Sequence, residues 1–149
     1  MKIINGDAGM RILGEQLGSR LRGGEIIELI GDVGAGKTTL VKGIGRGLKI
    51  DEDIQSPSFT VSRVYPARDH LTLAHYDFYR LNDAGIMADE LAEAVTDSNT
   101  IVVIEWGDII GGVLPGDYIR LSINPVDEVT RALELAIPKS YSYLEHVFA

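Results

Sequence analysis

The sequence predicts a layered α/β fold with a mixed, mostly parallel central sheet and an antiparallel annex. Two short runs, Glu25 to Ile30 and Ile101 to Glu105, are apolar with little alternation, which is typical of parallel strands buried on both faces. Segments with helical spacing lie between such runs, and other short segments alternate as half-buried strands do. Helices interleaved with apolar strands indicate that helices pack on both faces of the sheet.

The helices are predicted at residues 7–22, 38–48 and about 83–95. The first carries apolar side chains at helical spacing and ends before two glycines, which disfavour a continuing helix. Its apolar positions are Met10, Leu13, Leu17 and Leu21. A last helix, capped by Ser140, is predicted near the C-terminus. Its apolar positions are Leu144, Val147 and Phe148.

The remaining strands alternate between apolar and polar residues. Phe59 to Tyr65 and Leu71 to Leu73 are predicted to form a hairpin through the turn at 66–70. Two further strands are predicted at 119–123 and 132–137. Boundaries of this kind are accurate to two to four residues.

The composition is that of one globular domain spanning residues 1–149. The net charge of −8 argues against a free-standing nucleic-acid binder, whose affinity depends on lysine and arginine contacts with phosphates. The chain has no cysteine, so disulfides and thiolate metal sites are excluded. Its apolar runs are too short to span a bilayer, and we therefore expect a soluble, cytoplasmic protein with no membrane association.

A phosphate-binding motif follows the first buried strand. Residues Gly31 to Thr38 match the pattern G-x-x-x-x-G-K-[ST], between an apolar strand and an amphipathic helix. The glycines allow backbone amides to curl around phosphate oxygens, and the helix N-terminus favours anions. The predicted nucleotide contacts are Gly34, Ala35, Gly36, Lys37, Thr38 and Thr39. This motif narrows the predicted architecture to a three-layer P-loop NTPase-like fold.

Within this loop, Lys37 is predicted to neutralise the outer phosphates, Thr38 to ligate Mg²⁺ and Thr39 to contact the inner phosphates. Glu105 ends the second buried strand, where a P-loop enzyme needs a carboxylate near its metal. It is predicted to hold Mg²⁺ directly or through water, or to polarise the attacking water. The alternative is a solvated acid at a strand end.

Two further residues follow the strand that ends near Tyr76. Asp77 is either a second carboxylate that orients water or acts as base, or a turn aspartate. Arg80 either offsets charge on the transferred phosphoryl group or pairs with a surface acid. Lys37, Asp77 and Glu105 are therefore the candidate catalytic residues.

Three other features have a functional and a structural interpretation. Trp106 is either buried or packs over the nucleotide site or a partner. The segment Ser56 to Thr60 is either a switch loop that senses the terminal phosphate or an ordinary connection. His75 is interpreted as structural, and three scattered histidines do not indicate a zinc site.

Four segments together resemble the TsaE (YjeE) family of ATPases. They are the loop Gly31 to Thr39, Ser56-Pro57-Ser58-Phe59-Thr60, His75-Tyr76-Asp77-Phe78-Tyr79-Arg80-Leu81, and Glu105-Trp106. The loop is shared by many families, whereas the H-x-D-x-Y-R-L and E-W segments are specific. The likeness extends from the first helix to about residue 123.

The resemblance implies a bacterial ATPase, weakly active alone, that uses ATP and Mg²⁺. It implies two partner proteins, which transfer a threonylcarbamoyl group to adenosine 37 of tRNAs that read codons beginning with A. Hydrolysis would reset this complex, and contact with tRNA would be indirect. Lys37 and Thr38 become the phosphate and magnesium contacts, and Glu105 the second metal contact. Thr60, Arg80 and Trp106 are possible switch or partner contacts.

Two rival functions share the phosphate-binding loop. A small-molecule kinase usually carries an arginine-bearing lid, whereas Arg63, Arg68 and Arg80 are scattered outside any lid-like segment. A nucleotide-gated binding module would bind ATP with negligible catalysis. A guanine-specific switch is disfavoured because the sequence lacks an N-K-x-D segment.

Overall fold

The structure, a computed structural model, describes residues 1–32, 34–55, 62–78, 86–105, 114 and 117–149. Over these ranges the chain forms one seven-stranded sheet between two helical layers. The strands are β1 (Lys2–Asn5), β2 (Ile26–Ile30), β3 (Ser62–Pro66), β4 (Thr72–Asp77), β5 (Thr100–Glu105), β6 (Ile119–Pro125) and β7 (Thr130–Ala136). The helices are α1 (Gly6–Arg20), α2 (Lys37–Gly47) and α3 (Ile86–Thr96).

The sheet has the order β1-β7-β6-β2-β5-β4-β3. Its central strands β6, β2, β5 and β4 are parallel, and the apolar runs predicted this for β2 and β5. The antiparallel strands lie on both edges, with β7 and β1 beyond β6, and β3 beyond β4. The predicted α/β, P-loop NTPase-like architecture is therefore confirmed, and the predicted hairpin is β3–β4.

Two details differ from the prediction. Strand β1 was missed because, among the described strands, it pairs with β7 alone, about 130 residues later in the chain, so no local pattern marks it. Ser140 does not cap a helix: its hydroxyl donates to the Asp117 carboxylate at 3.2 Å. The C-terminal segment Lys139–Phe148 consists of kinked 3₁₀ turns, although its predicted apolar residues are buried.

The two faces of the sheet bury separate apolar clusters. Helices α1 and α2 cover one face, and Leu91 of α3 packs on the other against Val102 and Ile104. Because side chains alternate along a strand, Ile101, Val103 and the residue at 105 share the α1–α2 face of β5. The residues at 73, 75 and 77 of β4 share the same face. The residues at 75, 77 and 105 are polar, so the alternation of the two strands places three polar residues on the face that α2 covers.

Helix α2 is held against α1 by unusually close backbone contact. A Cβ on Gly18 would lie 2.2 Å from the carbonyl oxygen of Ile44, and one on Gly14 would lie 2.4 Å from that of Leu40. Only glycine permits this approach. The helix that begins at Lys37 is thus fixed relative to the sheet. None of the helices in the described ranges is long and apolar enough to cross a lipid bilayer.

The buried carboxylate of Glu25, just before β2, joins the C-terminal segment to the sheet. Glu25 is fully buried and accepts backbone hydrogen bonds from Arg22 at 2.7 Å and Gly23 at 2.8 Å. It also accepts a hydrogen bond from the Tyr143 hydroxyl, and the Arg22 guanidinium lies 3.8 Å from the centre of that ring. Burial and the Glu25 carboxylate raise the pKa of the Tyr143 phenol.

We expect Tyr143→Phe to lower the free energy of unfolding by about 1.5 kcal/mol, because a buried carboxylate loses one donor. Urea unfolding at pH 7 measures this loss. Tyr141→Phe is the control, since the Tyr141 hydroxyl donates to the backbone carbonyl of Asp117, at 3.5 Å, rather than to a buried carboxylate. The folded state holds the Tyr143 proton more tightly than the unfolded chain does. The stability that the Tyr143 hydrogen bond contributes is therefore complete below pH 10 and is lost at higher pH. Equal losses in the two variants would contradict this role.

Candidate nucleotide-binding site

The loop after β2 has a backbone that only glycines adopt readily. Gly34 has φ +84° and Gly36, the residue that caps α2, has φ +112°. The amide of Ala35 donates to the carbonyl of Asp32 at 3.0 Å, which closes the turn. The loop then opens directly into α2, so the first-turn amides of the helix and the positive end of its dipole lie beside the loop. This arrangement fits a bound phosphate chain.

Lys37 is buried at the start of α2 and aims into the loop. Its ammonium donates to the carbonyl of Gly31 at 2.5 Å and lies 4.0 Å from Oε1 of Glu105. Burial lowers the pKa of this lysine, against the attraction of Glu105, Asp77 and Asp32. The side chain is therefore a desolvated cation surrounded by acids, placed where outer phosphates would compete for it.

The two candidate carboxylates lie on neighbouring strands at the same edge of the sheet. Glu105 ends β5 directly beside Asp77, which ends β4, and it pairs with Leu29 of β2 on its other side. Glu105 is buried, whereas Asp77 is half-buried. The structure thus brings together Lys37, Asp77 and Glu105, the three candidate catalytic residues.

Glu105 has a second partner that the sequence did not predict. His75 is fully buried on β4, and its Nε2 lies 2.6 Å from Oε2 of Glu105. The interpretation of His75 as structural therefore omitted a direct contact with the site. Its position two residues before Asp77 on the same strand face is the signal that could have indicated it.

The side chains present at this site suit Mg²⁺ better than a metal ion that is held entirely by protein ligands. Thr38 and Thr39 lie in the first turn of α2, both half-buried. Within the described ranges, no group of three or more His, Cys, Asp or Glu side chains is arranged to hold a metal ion by itself. Mg²⁺ commonly uses only one or two protein oxygens and takes the rest from phosphates and water. A threonine hydroxyl with one carboxylate meets that requirement.

A cleft of about 200 Å³ opens beside the loop, on the side of β1 and β7. Its walls include Asp7, Met10, Gly36, Val129 and Arg131. The Arg131 guanidinium donates from Nε to the carbonyl of Ala35 at 3.0 Å and from Nη1 to the carbonyl of Asp127 at 2.9 Å. This arginine ties the β6–β7 turn to the phosphate-binding loop.

The family model described as "Threonylcarbamoyl adenosine biosynthesis protein TsaE" matches residues 4–133. This chain belongs to the TsaE family. The matched range contains the loop, both carboxylates, His75 and Arg131. The family takes part in the biosynthesis of threonylcarbamoyladenosine in tRNA.

Relatives from three bacteria support the TsaE assignment, and each is named tRNA threonylcarbamoyladenosine biosynthesis protein TsaE. The Streptomyces coelicolor protein is 40% identical over 116 residues, 77% of this chain and 78% of the relative. The Nostoc protein is 40% identical over 83% of this chain and 76% of its own length. The Treponema pallidum protein is 37% identical over 83% and 90%.

A solved structure has the same fold. The crystal structure of Bacillus subtilis YdiB superposes with a TM-score of 0.74 and 26% sequence identity. The match covers 97% of this chain and 90% of YdiB. The layered architecture described above is therefore similar to that of YdiB over almost its whole length.

Three predicted contacts of this TsaE-family chain lie outside the described residues: Thr60, Arg80 and Trp106. Val33 of the loop also lies outside them. Arg131 and the cleft beside it were missed by the sequence reasoning. Arg131 is 96 residues from its partner Ala35 and carries no motif, so no local signal indicated it.

Proposed function

We propose that this protein binds ATP with Mg²⁺ and hydrolyses it to cycle a tRNA-modifying transferase complex. The observation that supports this is the meeting of Lys37, at the start of α2, with Glu105, at the end of β5, across 4.0 Å beside the glycine loop. A cation, a carboxylate and a glycine loop that opens a helix, all at one sheet edge, are the parts that phosphoryl transfer from a nucleotide requires.

In this proposal the loop amides and Thr39 hold the inner phosphates. Lys37 exchanges its hydrogen bond to Gly31 for the outer phosphates, where an ammonium offsets charge that develops during transfer. Thr38 and Glu105 hold Mg²⁺, which neutralises phosphate charge when bound. Asp77, beside Glu105 in the sheet, orients the attacking water.

The adenosine end of the nucleotide occupies the cleft that borders Gly36. This cleft is open to solvent, is lined partly by Met10 and Val129, and meets the loop where the inner phosphates would emerge. A mixed apolar and polar wall suits a nucleoside, which has apolar ring faces and polar edges. Arg131 couples occupancy of this cleft to the loop through Ala35.

We expect Val129→Ser to weaken ATP binding about fivefold, the factor for roughly 1 kcal/mol of lost apolar contact. Binding of inorganic tripolyphosphate should not change, because it lacks the nucleoside. Val126→Ser is the matched control: both valines lie in the β6–β7 turn with 60% and 63% exposure, but only Val129 lines the cleft. Calorimetry with both ligands would contradict the assignment if the two variants behaved alike.

The proposed cellular role involves two partner proteins of the threonylcarbamoyl-transferase complex, in the cytoplasm. The net charge of −8 favours indirect contact with tRNA, through those partners. Hydrolysis resets the complex between rounds of threonylcarbamoyl transfer to adenosine 37, in tRNAs that read codons beginning with A. Thr60, Arg80 and Trp106 are the proposed switch or partner contacts.

The test combines purified protein, its two partners, tRNA, a threonylcarbamoyl donor, ATP and Mg²⁺. We expect weak ATP hydrolysis by the protein alone, faster hydrolysis with the partners, and repeated rounds of tRNA modification only when ATP is hydrolysed. Binding without hydrolysis, even with the partners, would instead indicate a nucleotide-gated binding module. Transfer of phosphate to a metabolite would indicate a kinase, and no ATP binding at all would end the proposal.

A further inference from the structure

His75 and Glu105 form a buried pair between strands β4 and β5. His75 is fully buried and Glu105 is 3% exposed, so the 2.6 Å contact between Nε2 and Oε2 is shielded from water. Val103, the register partner of His75, and Leu73 bury their side chains in the same apolar cluster. The ring is therefore confined by its neighbours, and its edge is directed at one carboxylate oxygen.

The contact determines which ring nitrogen carries hydrogen. The Glu105 carboxylate accepts hydrogen bonds, so Nε2 carries the hydrogen and donates. The other ring nitrogen, Nδ1, is buried and has no hydrogen-bond partner among the residues that the structure describes. A buried polar atom without a partner is unfavourable for folding, and an apolar side chain at 75 would avoid it. The imidazole is therefore better explained by its action on Glu105 than by stability.

The two oxygens of Glu105 have different surroundings. Oε2 is bound by His75, while Oε1 lies 4.0 Å from the Lys37 ammonium, on the side of the glycine loop. A glutamate has three rotatable side-chain bonds, and a hydrogen bond to one oxygen removes much of that freedom. The His75 contact thereby holds Oε1 toward the phosphate site.

We propose that His75 is a positioning residue: it fixes the Glu105 carboxylate so that Oε1 is presented to the magnesium ion of the bound nucleotide. This inference rests on the proposed function, in which Glu105 is a metal contact. When a residue that orients a metal-binding carboxylate without touching the metal is replaced, metal affinity or activity commonly changes by 10–100-fold.

The experiment compares His75→Leu, which removes the donor, with His75→Gln, whose side-chain amide can donate near the position of Nε2. Mg²⁺ is titrated calorimetrically into protein saturated with a non-hydrolysable ATP analogue, and turnover is measured separately. We expect His75→Leu to weaken Mg²⁺ binding and lower turnover about 10–100-fold. Affinity for the analogue without Mg²⁺ should stay within about twofold of wild type. His75→Gln should restore most of the loss, which a purely structural role would not predict.

A measurement on the wild-type protein covers the case in which His75→Leu does not fold. Nitrogen-15 NMR of the histidine ring should show hydrogen on Nε2, with a hydrogen-bond shift that changes in Glu105→Gln. Hydrogen on Nδ1, or equal effects of the leucine and glutamine variants, would overturn the inference. If wild type binds ATP with Mg²⁺ and His75→Leu matches it, only the positioning role fails. If wild type binds no ATP, the proposed function fails as well.

Discussion

Lys37→Met should weaken ATP binding at least tenfold and should also lower the stability of the fold. The substitution keeps the apolar stem and removes the ammonium, and a hydrogen bond to a charged group contributes about 1.5–3 kcal/mol. Removing the ammonium also takes a hydrogen-bond donor from the Gly31 carbonyl and a nearby cation from buried Glu105, so the midpoint temperature of unfolding should fall. Calorimetry with ATP and thermal unfolding measure the two effects.

Lys42→Met is the matched control for this prediction. Lys42 lies in the same helix, is half-buried, and borders a different cleft on the outer side of α1 and α2. The Lys42→Met variant should bind ATP as wild type does. An ATP dissociation constant for Lys37→Met within twofold of wild type would contradict the role assigned to the ammonium.

Glu105→Gln should reduce ATP turnover by about 100-fold, because the proposed Mg²⁺ contact loses its negative charge and a bound metal ion stabilises transition-state charge by several kcal/mol. Glutamine has nearly the same shape and its carbonyl can still accept from His75, so the local geometry should persist. Without Mg²⁺, ATP should bind as tightly as to wild type or more tightly, since one negative charge near the phosphates is removed. The gain in affinity on adding Mg²⁺ should shrink. Steady-state hydrolysis and calorimetry with and without Mg²⁺ separate these effects.

Glu28→Gln provides the comparison for Glu105→Gln. Glu28 is also a buried carboxylate, on neighbouring strand β2, but it pairs with exposed Arg120 at 3.3 Å rather than with Lys37. Its replacement should leave turnover unchanged. Turnover of Glu105→Gln within twofold of wild type, or an equal loss in both variants, would remove Glu105 from the proposed site.

The two predictions address different parts of one site. Lys37 acts on the phosphates through its charge, so its loss should appear in ATP affinity. Glu105 acts with the metal, so its loss should appear mainly in turnover and in Mg²⁺ dependence. Asp77 lies directly beside Glu105 in the sheet, and comparison of Asp77→Asn with Glu105→Gln would separate a water-orienting role from a metal-binding one.

The sequence alone determined those features that depend on neighbouring residues. The glycine loop, its helix and the buried strand before it follow from local spacing, because phosphate-binding geometry requires those residue types at those positions. Glu105 was identified because four apolar residues precede it in one strand. Local patterns of apolar residues predicted α1, α2, α3 and strands β2 to β7 to within a few residues.

Only the tertiary structure decided which distant residues meet. The order of strands places β4 beside β5, which brings His75 to Glu105 across 30 residues, and β7 beside β6, which brings Arg131 to Ala35 across 96. Strand β1 and the Asp117 partner of Ser140 also depend on such pairings. Periodicity shows which face a side chain occupies but not which strand lies next to it. Register and strand order arise from packing of the whole sheet, so local patterns in the sequence could not predict which strands are in contact.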